Sequence, residues 1–394
     1  MSAARLRVML MRGGPAQALF VHAHDLPSSP RARDALLLRA LGGPDPRGRF
    51  VDGVGGAIAG GARVVVVARS QRAGCDLEFL VGAASADAAL LDWTVPCGGL
   101  AAAVGPFAVH ERVFPADDGL ARLRLLHATT DERIDAFVPV RRGEVLEEGG
   151  FAGDGMPFPG GEIRLEHLAP AGSPFPTRLP REALAVPGLG EIEATLIDVG
   201  GPAVFVKAGT LGLTGRESPE EVARARRTLE RVDSIRLAAA ARLGLGEPSR
   251  LRPDVPRVAW VAKPAGYRAN GGADVPADAI DLLVRERRPV GAGAGVDPAD
   301  GALAVAVAAA VPGTVVADVA RTLPGVATRI GAAAGTEAVG AEVAWRDGAG
   351  WRVERCVLSR GARRLMAGEV FVPETVPAAR DASTGRPAGS AHRA

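Results

Sequence analysis

Short β-branched runs separated by Gly, Pro and Asp turn signals dominate the chain. Arg63 to Ala68 (RVVVVA), Ile192 to Val199 (IEATLIDV), Ala203 to Val206 (AVFV) and Arg257 to Ala262 (RVAWVA) read as strands. Helical spacing predicts helices at Pro30 to Leu41, after Cys97, at Pro219 to Leu243, at Ala277 to Arg287 and at Ala302 to Ala310. The balance is an α+β fold, rich in strands. From about Val376 the periodicity stops and Ala, Gly, Ser, Arg and Pro take over, which predicts a mobile tail over 375–394.

Two of the helices share a plan. Cys97-Gly-Gly-Leu-Ala-Ala-Ala-Val and Asp300-Gly-Ala-Leu-Ala-Val-Ala-Val each place a polar residue and a glycine before a small-residue apolar helix. A helix with no polar face must be buried all round, so each is expected as a central helix wrapped by strands. The pattern predicts one design used twice, with halves at 1–183 and 184–374 and a cleft between them.

Composition narrows the chemistry. The chain has 394 residues, with 47 Lys plus Arg against 45 Asp plus Glu, a formal charge of +2. That near-balance gives no basic field for nucleic acid. The longest apolar run, Gly301 to Val311, is too short for a bilayer span, and the arginines among the first twelve residues break any signal-peptide core, so no membrane association is expected. Three scattered cysteines, Cys75, Cys97 and Cys356, make no disulfide framework and fit a reducing cytoplasm. His22 and His24 share a strand face but have no third ligand, and neither Arg12-Gly-Gly nor Asp52-Gly-Val-Gly-Gly-Ala is a phosphate loop, so neither metal nor nucleotide cofactor is expected.

Cys97 stands out. The unpaired N–H groups at a helix start favour a thiolate, and the glycines after it, Gly98 and Gly99, let backbone approach a ligand. Cys75, in a turn, and Cys356, in a strand-like run, read as passive. Asp297 and Asp300 precede the second central helix, where capping is the plain role of an aspartate. If the two helix starts face each other, Cys97 and Asp300 form an acid/base pair across the cleft.

These residues lie in a longer resemblance. Met11-Arg-Gly-Gly, Asp52-Gly-Val-Gly-Gly-Ala, Cys97-Gly, Pro170-Ala-Gly-Ser, Gly212-Leu-Thr-Gly, Ile280-Asp-Leu-Leu-Val-Arg and Ser359-Arg-Gly-Ala-Arg-Arg-Leu resemble the 2-methylaconitate cis-trans isomerase and 4-oxalomesaconate tautomerase (PrpF-type) family, over nearly all of residues 5–374. The resemblance implies a diaminopimelate epimerase-like fold of two curved sheets, each around a central helix. It also implies cofactor-independent proton transfer on a small unsaturated or carbonyl acid. The family's lysine position holds Arg63, which keeps the charge but cannot be a general base. By resemblance the substrate would meet Arg12, Gly13, Gly14, Gly98, Gly99, Ser173, Thr177 and Gly301.

Several of the family's donors are replaced here, among them by Pro15, Ala16 and Gln17 after Arg12-Gly-Gly, and by Ile58-Ala-Gly-Gly after Ala57. Two expectations follow. Either the chain is an isomerase of a less charged substrate, with Cys97, Asp300 and Arg63 at its centre, or it is a binding or scaffold protein on the same shell. A homodimer is the oligomer left open.

Overall fold

The computed structural model describes residues 4–373, except 59–60, 87, 154–155, 157, 169–171, 247–254, 288–298 and 324. The expected tail over 375–394 and Asp297 lie outside the described residues.

The first part of the chain gives β1 (Ala4–Gly13), β2 (Ala16–His22), α1 (Pro30–Leu41), β3 (Arg63–Arg69), β4 (Leu77–Ala84), a short β5 (Leu91–Asp92), α2 (Ala101–His110), β6 (Gly119–His127), β7 (Glu132–Arg141), a short β8 (Glu144–Val145) and β9 (Glu162–Leu168). The rest gives β10 (Glu182–Val186), β11 (Gly190–Asp198), β12 (Pro202–Lys207), α3 (Pro219–Arg224), α4 (Arg226–Leu243), β13 (Arg257–Ala262), the two-residue strands β14 (Tyr267–Arg268) and β15 (Asp274–Val275), and β16 (Leu282–Glu286). It ends with α5 (Ala299–Ala310), β17 (Thr328–Ala332), β18 (Gly335–Arg346) and β19 (Gly350–Val372). The fold is mixed α/β with a barrel-like sheet.

Eight strands close a ring. β1 pairs with β2, β2 runs parallel to β3, and the ring continues through β4, β6, β7, β9 and β19 back to β1. Inside it lies α2. Its residues Ala101 to Val109 are all buried, as an apolar helix without a polar face must be. The helix packs so closely that a Cβ on Gly105 would lie 2.8 Å from Val138 Cγ2.

The pairing order then recurs. β11–β12 antiparallel, β12–β13 parallel, β13–β16 antiparallel, β16–β17 parallel, and β17–β18 and β18–β19 antiparallel repeat the series from β1 to β9, with α5 in the place of α2. α1 and α4 pack on the outer faces in equivalent positions. The likeness reaches individual bonds. Asp76, just before β4, accepts a hydrogen bond from the backbone N–H of Arg124 at 2.8 Å and ion-pairs with its guanidinium. Asp281, just before β16, does the same to Arg329, also at 2.8 Å from the backbone N–H.

β19 joins the two series. Its first residues pair with β18, its middle with β9 and its last with β1. A division after residue 183 falls inside β10, whose partner is β11. α2 and α5 contribute to one continuous apolar core, and the turn before α2 packs against α5.

One predicted helix is a strand. Over Ala277 to Arg287 the chain forms turns and then β16, because Leu282 packs into the core around α5 while Leu283 packs on the opposite side with Tyr267 and Ile280. A run buried on both faces has no amphipathic period, and only the sheet satisfies its backbone there. Pro219 to Leu243 forms two helices, α3 and α4, broken at Ala225.

Candidate active site

The chain reaches the α2 start through a tight local turn in which Asp92 Oδ1 accepts bonds from the N–H and hydroxyl of Thr94, at 2.8 and 2.6 Å. Cys97 then opens a 3-10 turn, Gly98–Leu100, that runs into α2. Gly98 has φ +50°, a left-handed conformation that an L side chain rarely adopts. Gly13, at the end of β1, is pressed against this turn: a Cβ there would lie 2.5 Å from the carbonyl oxygen of Gly99. The β1–β2 hairpin therefore fixes the height of Cys97, which is 3 % exposed.

Sequence reasoning missed two residues here: one that meets the thiol and one that holds the first. Cys97 Sγ donates to Glu132 Oε2 at 3.9 Å, and the other oxygen, Oε1, is 2.7 Å from His167 Nδ1. Glu132 opens β7 on the same face as Ile134, Ala136 and Val138, and His167 follows Ile163 and Leu165 on β9; all of these apolar residues line the core around α2. Burial opposes ionisation of Glu132, but the charge and hydrogen bond of His167, with smaller help from His127 and Cys97, hold its carboxyl below the usual range. The signal in the sequence was a polar residue at an inward position of an alternating strand: Glu132 ahead of Ile134, Ala136 and Val138, and His167 after Ile163 and Leu165. Neither belongs to a motif.

Arg63, the half-buried first residue of β3, shares a face with Val65 and Val67, which line the core around α2. It stands beside Ala18 of β2, at the same end of the ring as the Gly13–Gly99 contact. It is thus on the inner face at the Cys97 end.

Other residues expected at the substrate have partners within the protein. Arg12 Nη1 is used by the carbonyl oxygens of Gly14 and Gly361, at 2.8 and 3.3 Å, and by Met156 Sδ at 3.1 Å. Burial, then the like charge of Arg363, pulls the Arg12 guanidinium below its usual range despite Glu147. The N–H of Gly14 bonds the carbonyl of Gly361 at 2.9 Å. Ser173 Oγ accepts the N–H of Phe175 at 3.2 Å, and Thr177 donates to Glu182 Oε1 at 2.5 Å. Of the two hydroxyls after β9, Thr177 spends its proton within the protein, while Ser173 is used there as an acceptor.

Asp300 does not precede the second central helix. α5 starts at Ala299, so Asp300 lies in its first turn, where a negative charge still suits the helix dipole; its side chain lies outside the described residues. Next to it, a Cβ on Gly301 would lie 3.3 Å from Arg257 Nη1 and 3.6 Å from Glu286 Oε2. Arg257 opens β13 as Arg63 opens β3, and Nη2 of Arg257 is buried without a hydrogen-bond partner among the described residues. His22 is engaged by Glu111 at 3.1 Å and stacks on His24; among the described residues no group of three His, Cys, Asp or Glu is placed to hold a metal.

A closed sheet around an apolar helix, with a buried thiol where the helix begins, places the chain in the racemase and epimerase fold class. A solved hydroxyproline epimerase from Agrobacterium vitis shares that fold, with a TM-score of 0.57 at 14 % identity over 96 % of this chain and 94 % of its own. Within that class the chain belongs to the PrpF protein family, whose model matches residues 3–373. It is 37 % identical over 382 residues to a 2-methyl-aconitate isomerase of Shewanella oneidensis, covering 92 % of this chain and 96 % of the relative. A solved methylitaconate-delta-isomerase superposes with a TM-score of 0.80 at 28 % identity, over 98 % of this chain and 100 % of that one.

Proposed function

We propose that the protein is a cofactor-independent isomerase of a small unsaturated carboxylic acid, in which Cys97 removes a proton from a carbon next to a carbonyl or carboxyl group. The observation that carries this is the Cys97 thiol, buried at a helix start and hydrogen-bonded to a carboxylate, in a chain similar over 92 % of its length to a 2-methyl-aconitate isomerase. Removing that proton builds negative charge on the acid, and Arg63 supplies the compensating charge from the same end of the ring. Asp300, in the first turn of α5, is assigned the return of a proton on the far side.

The substrate carries fewer carboxylates than the tricarboxylic acid for which the Shewanella relative is named. In support, Thr177 spends its hydroxyl proton on Glu182, and Pro15, Ala16 and Ile58 offer no side-chain donors. The alternative of a scaffold has no use for a thiol, carboxylate and imidazole aligned inside a barrel.

The test is a proton NMR assay of 2-methylaconitate, methylitaconate and monocarboxylic analogues with the purified chain. Movement of the double bond, with kcat/KM at least about tenfold higher for an acid of lower charge, is expected, that ratio being worth about 1.4 kcal/mol. Thermal stabilisation by these acids without turnover of any would establish the binding-protein alternative instead.

A further inference from the structure

The end of the ring at which α2 begins holds more ionisable groups than a proton-carrying thiol alone requires. Facing Cys97 and its partner are Glu132 from β7, His167 from β9, His127 from β6 and Cys356 from β19, with Arg63 on the inner face of β3. Cys356 stands beside His167 in the β9–β19 register, and His127 stands opposite Glu132 between β6 and β7. His127 Nδ1 is 2.6 Å from Thr130 Oγ1, while its Nε2 is buried with no hydrogen-bond partner among the described residues. Burial, then the charges of Glu132 and Glu342, push Cys356 up to about 12, which leaves it a thiol.

Glu132 touches both Cys97 and a second titratable group. One oxygen takes the S–H of Cys97, and the other is fixed by His167, which is 6 % exposed. A nucleophile, a base within hydrogen-bond reach and a third group that orients the base is the arrangement by which proteins make a thiolate on demand. We propose that Glu132, oriented by His167, receives the Cys97 thiol proton during turnover, so that the thiolate is made inside the barrel rather than by the helix start alone.

This inference rests on the reading of Cys97 as the proton carrier. The S–H bond breaks and its proton bonds Oε2 of Glu132, leaving a thiolate and a neutral carboxyl. The thiolate pair then bonds the substrate proton, and the electrons of the broken C–H bond spread into the adjoining unsaturated acid. When a proton is delivered to the other carbon from Cys97, the thiolate returns and recovers its own proton from Glu132. Delivery from Asp300 instead leaves Cys97 a thiol; Glu132 gives its proton up to solvent, and Asp300 takes one back from solvent. No oxidant or reductant enters. Because His167 holds Glu132 below the usual carboxyl range, the resting pair is thiol and carboxylate, and the thiolate is short-lived.

The experiment measures two quantities on the full chain. One is the pH profile of iodoacetamide labelling at Cys97, located by peptide mass spectrometry. The other is deuterium wash-in from heavy water into an acid that the wild type turns over. In Glu132→Gln the carboxylate charge is gone, so labelling moves to lower pH and rises about tenfold at pH 7. Exchange moves the opposite way and falls at least about 100-fold. A residue that merely props the fold would lower both together. His167→Gln gives the same two directions with smaller size. Should Glu132→Gln not fold, Glu132→Asp, which withdraws the carboxylate by one methylene, serves in its place with exchange about tenfold lower. An unmoved labelling profile in Glu132→Gln overturns the coupling, and undiminished exchange in the folded variant overturns the relay. Absence of exchange in the wild type overturns the parent reading of Cys97 instead.

Discussion

Gly13 at the end of β1 and Gly99 in the turn before α2 touch backbone to backbone, leaving no room for a side chain between them. A methyl on Gly13 would have to move the turn that carries Cys97, and both sides of the contact are main chain. Gly13→Ala is therefore expected to destabilise the fold by about 1–3 kcal/mol, the usual result of overpacking. It is also expected to slow iodoacetamide labelling of Cys97. Equilibrium unfolding in urea and a labelling time course check the two effects.

The paired clamps Asp76–Arg124 and Asp281–Arg329 set an acid limit on stability. The Arg124 hydrogen bonds outweigh burial and hold the Asp76 carboxyl below its usual range. Burial opposes ionisation of Asp281, but hydrogen bonds from Arg329 outweigh it and depress that carboxyl as well. A depressed carboxyl contributes stability above its ordinary value, near 3.9, and that contribution is lost as pH falls through the folded value. Asp281→Asn should lower stability by about 1–3 kcal/mol at pH 7 and flatten its fall below about pH 4. Asp76→Asn should act in the same direction to a smaller extent, because Asp76 is itself more exposed to solvent screening than Asp281, at 19 % against 9 %. Chemical denaturation between pH 3 and 7 measures both.

Cys356 and Cys97 are both buried, yet they should behave differently. Raised to about 12, Cys356 remains a thiol throughout the range in which proteins are handled, and iodoacetamide should leave it unmodified at pH 8. Peptide mass spectrometry after partial labelling is expected to find the adduct on Cys97 and not on Cys356.

Arg63 is predicted to act through its charge. Arg63→Ala should lower kcat/KM by about 100-fold, the scale of a lost charge-stabilising donor. Arg63→Lys, which keeps the positive charge, should retain most of the activity. Steady-state kinetics on the best acid from the NMR panel decide this, and equal losses in both variants would assign Arg63 a role in geometry instead.

The strands and the central helices were legible because their patterns are local: β-branched runs between turns, and apolar helices without a polar face. The repeat was visible at the two helix starts. Its clearest instance, the Asp-Arg clamp, was not, since an Asp-Leu dipeptide before a strand carries no weight until its partner about 48 residues away is placed beside it. β16 was misread because Leu282 and Leu283 face opposite cores, and such a run has no period to identify it. Cys97 could be picked out from its helix start. Glu132 and His167 reach it only through the closure of the ring, which no short segment encodes. The helix start favours a thiolate while the Glu132 charge opposes one, and only the folded arrangement brings the two influences together.

The central claim is that Cys97 carries the substrate proton, and deuterium wash-in tests it most directly. Wild-type protein and Cys97→Ser are incubated in heavy water with an acid that the wild type isomerises, and label entering the carbon next to the carboxyl-bearing group is followed by NMR. A serine hydroxyl is far less acidic than a thiol, so exchange in Cys97→Ser should fall by at least about 100-fold, the lower end of what a positioned acid/base group contributes. Wash-in by Cys97→Ser as fast as by the wild type would contradict the account.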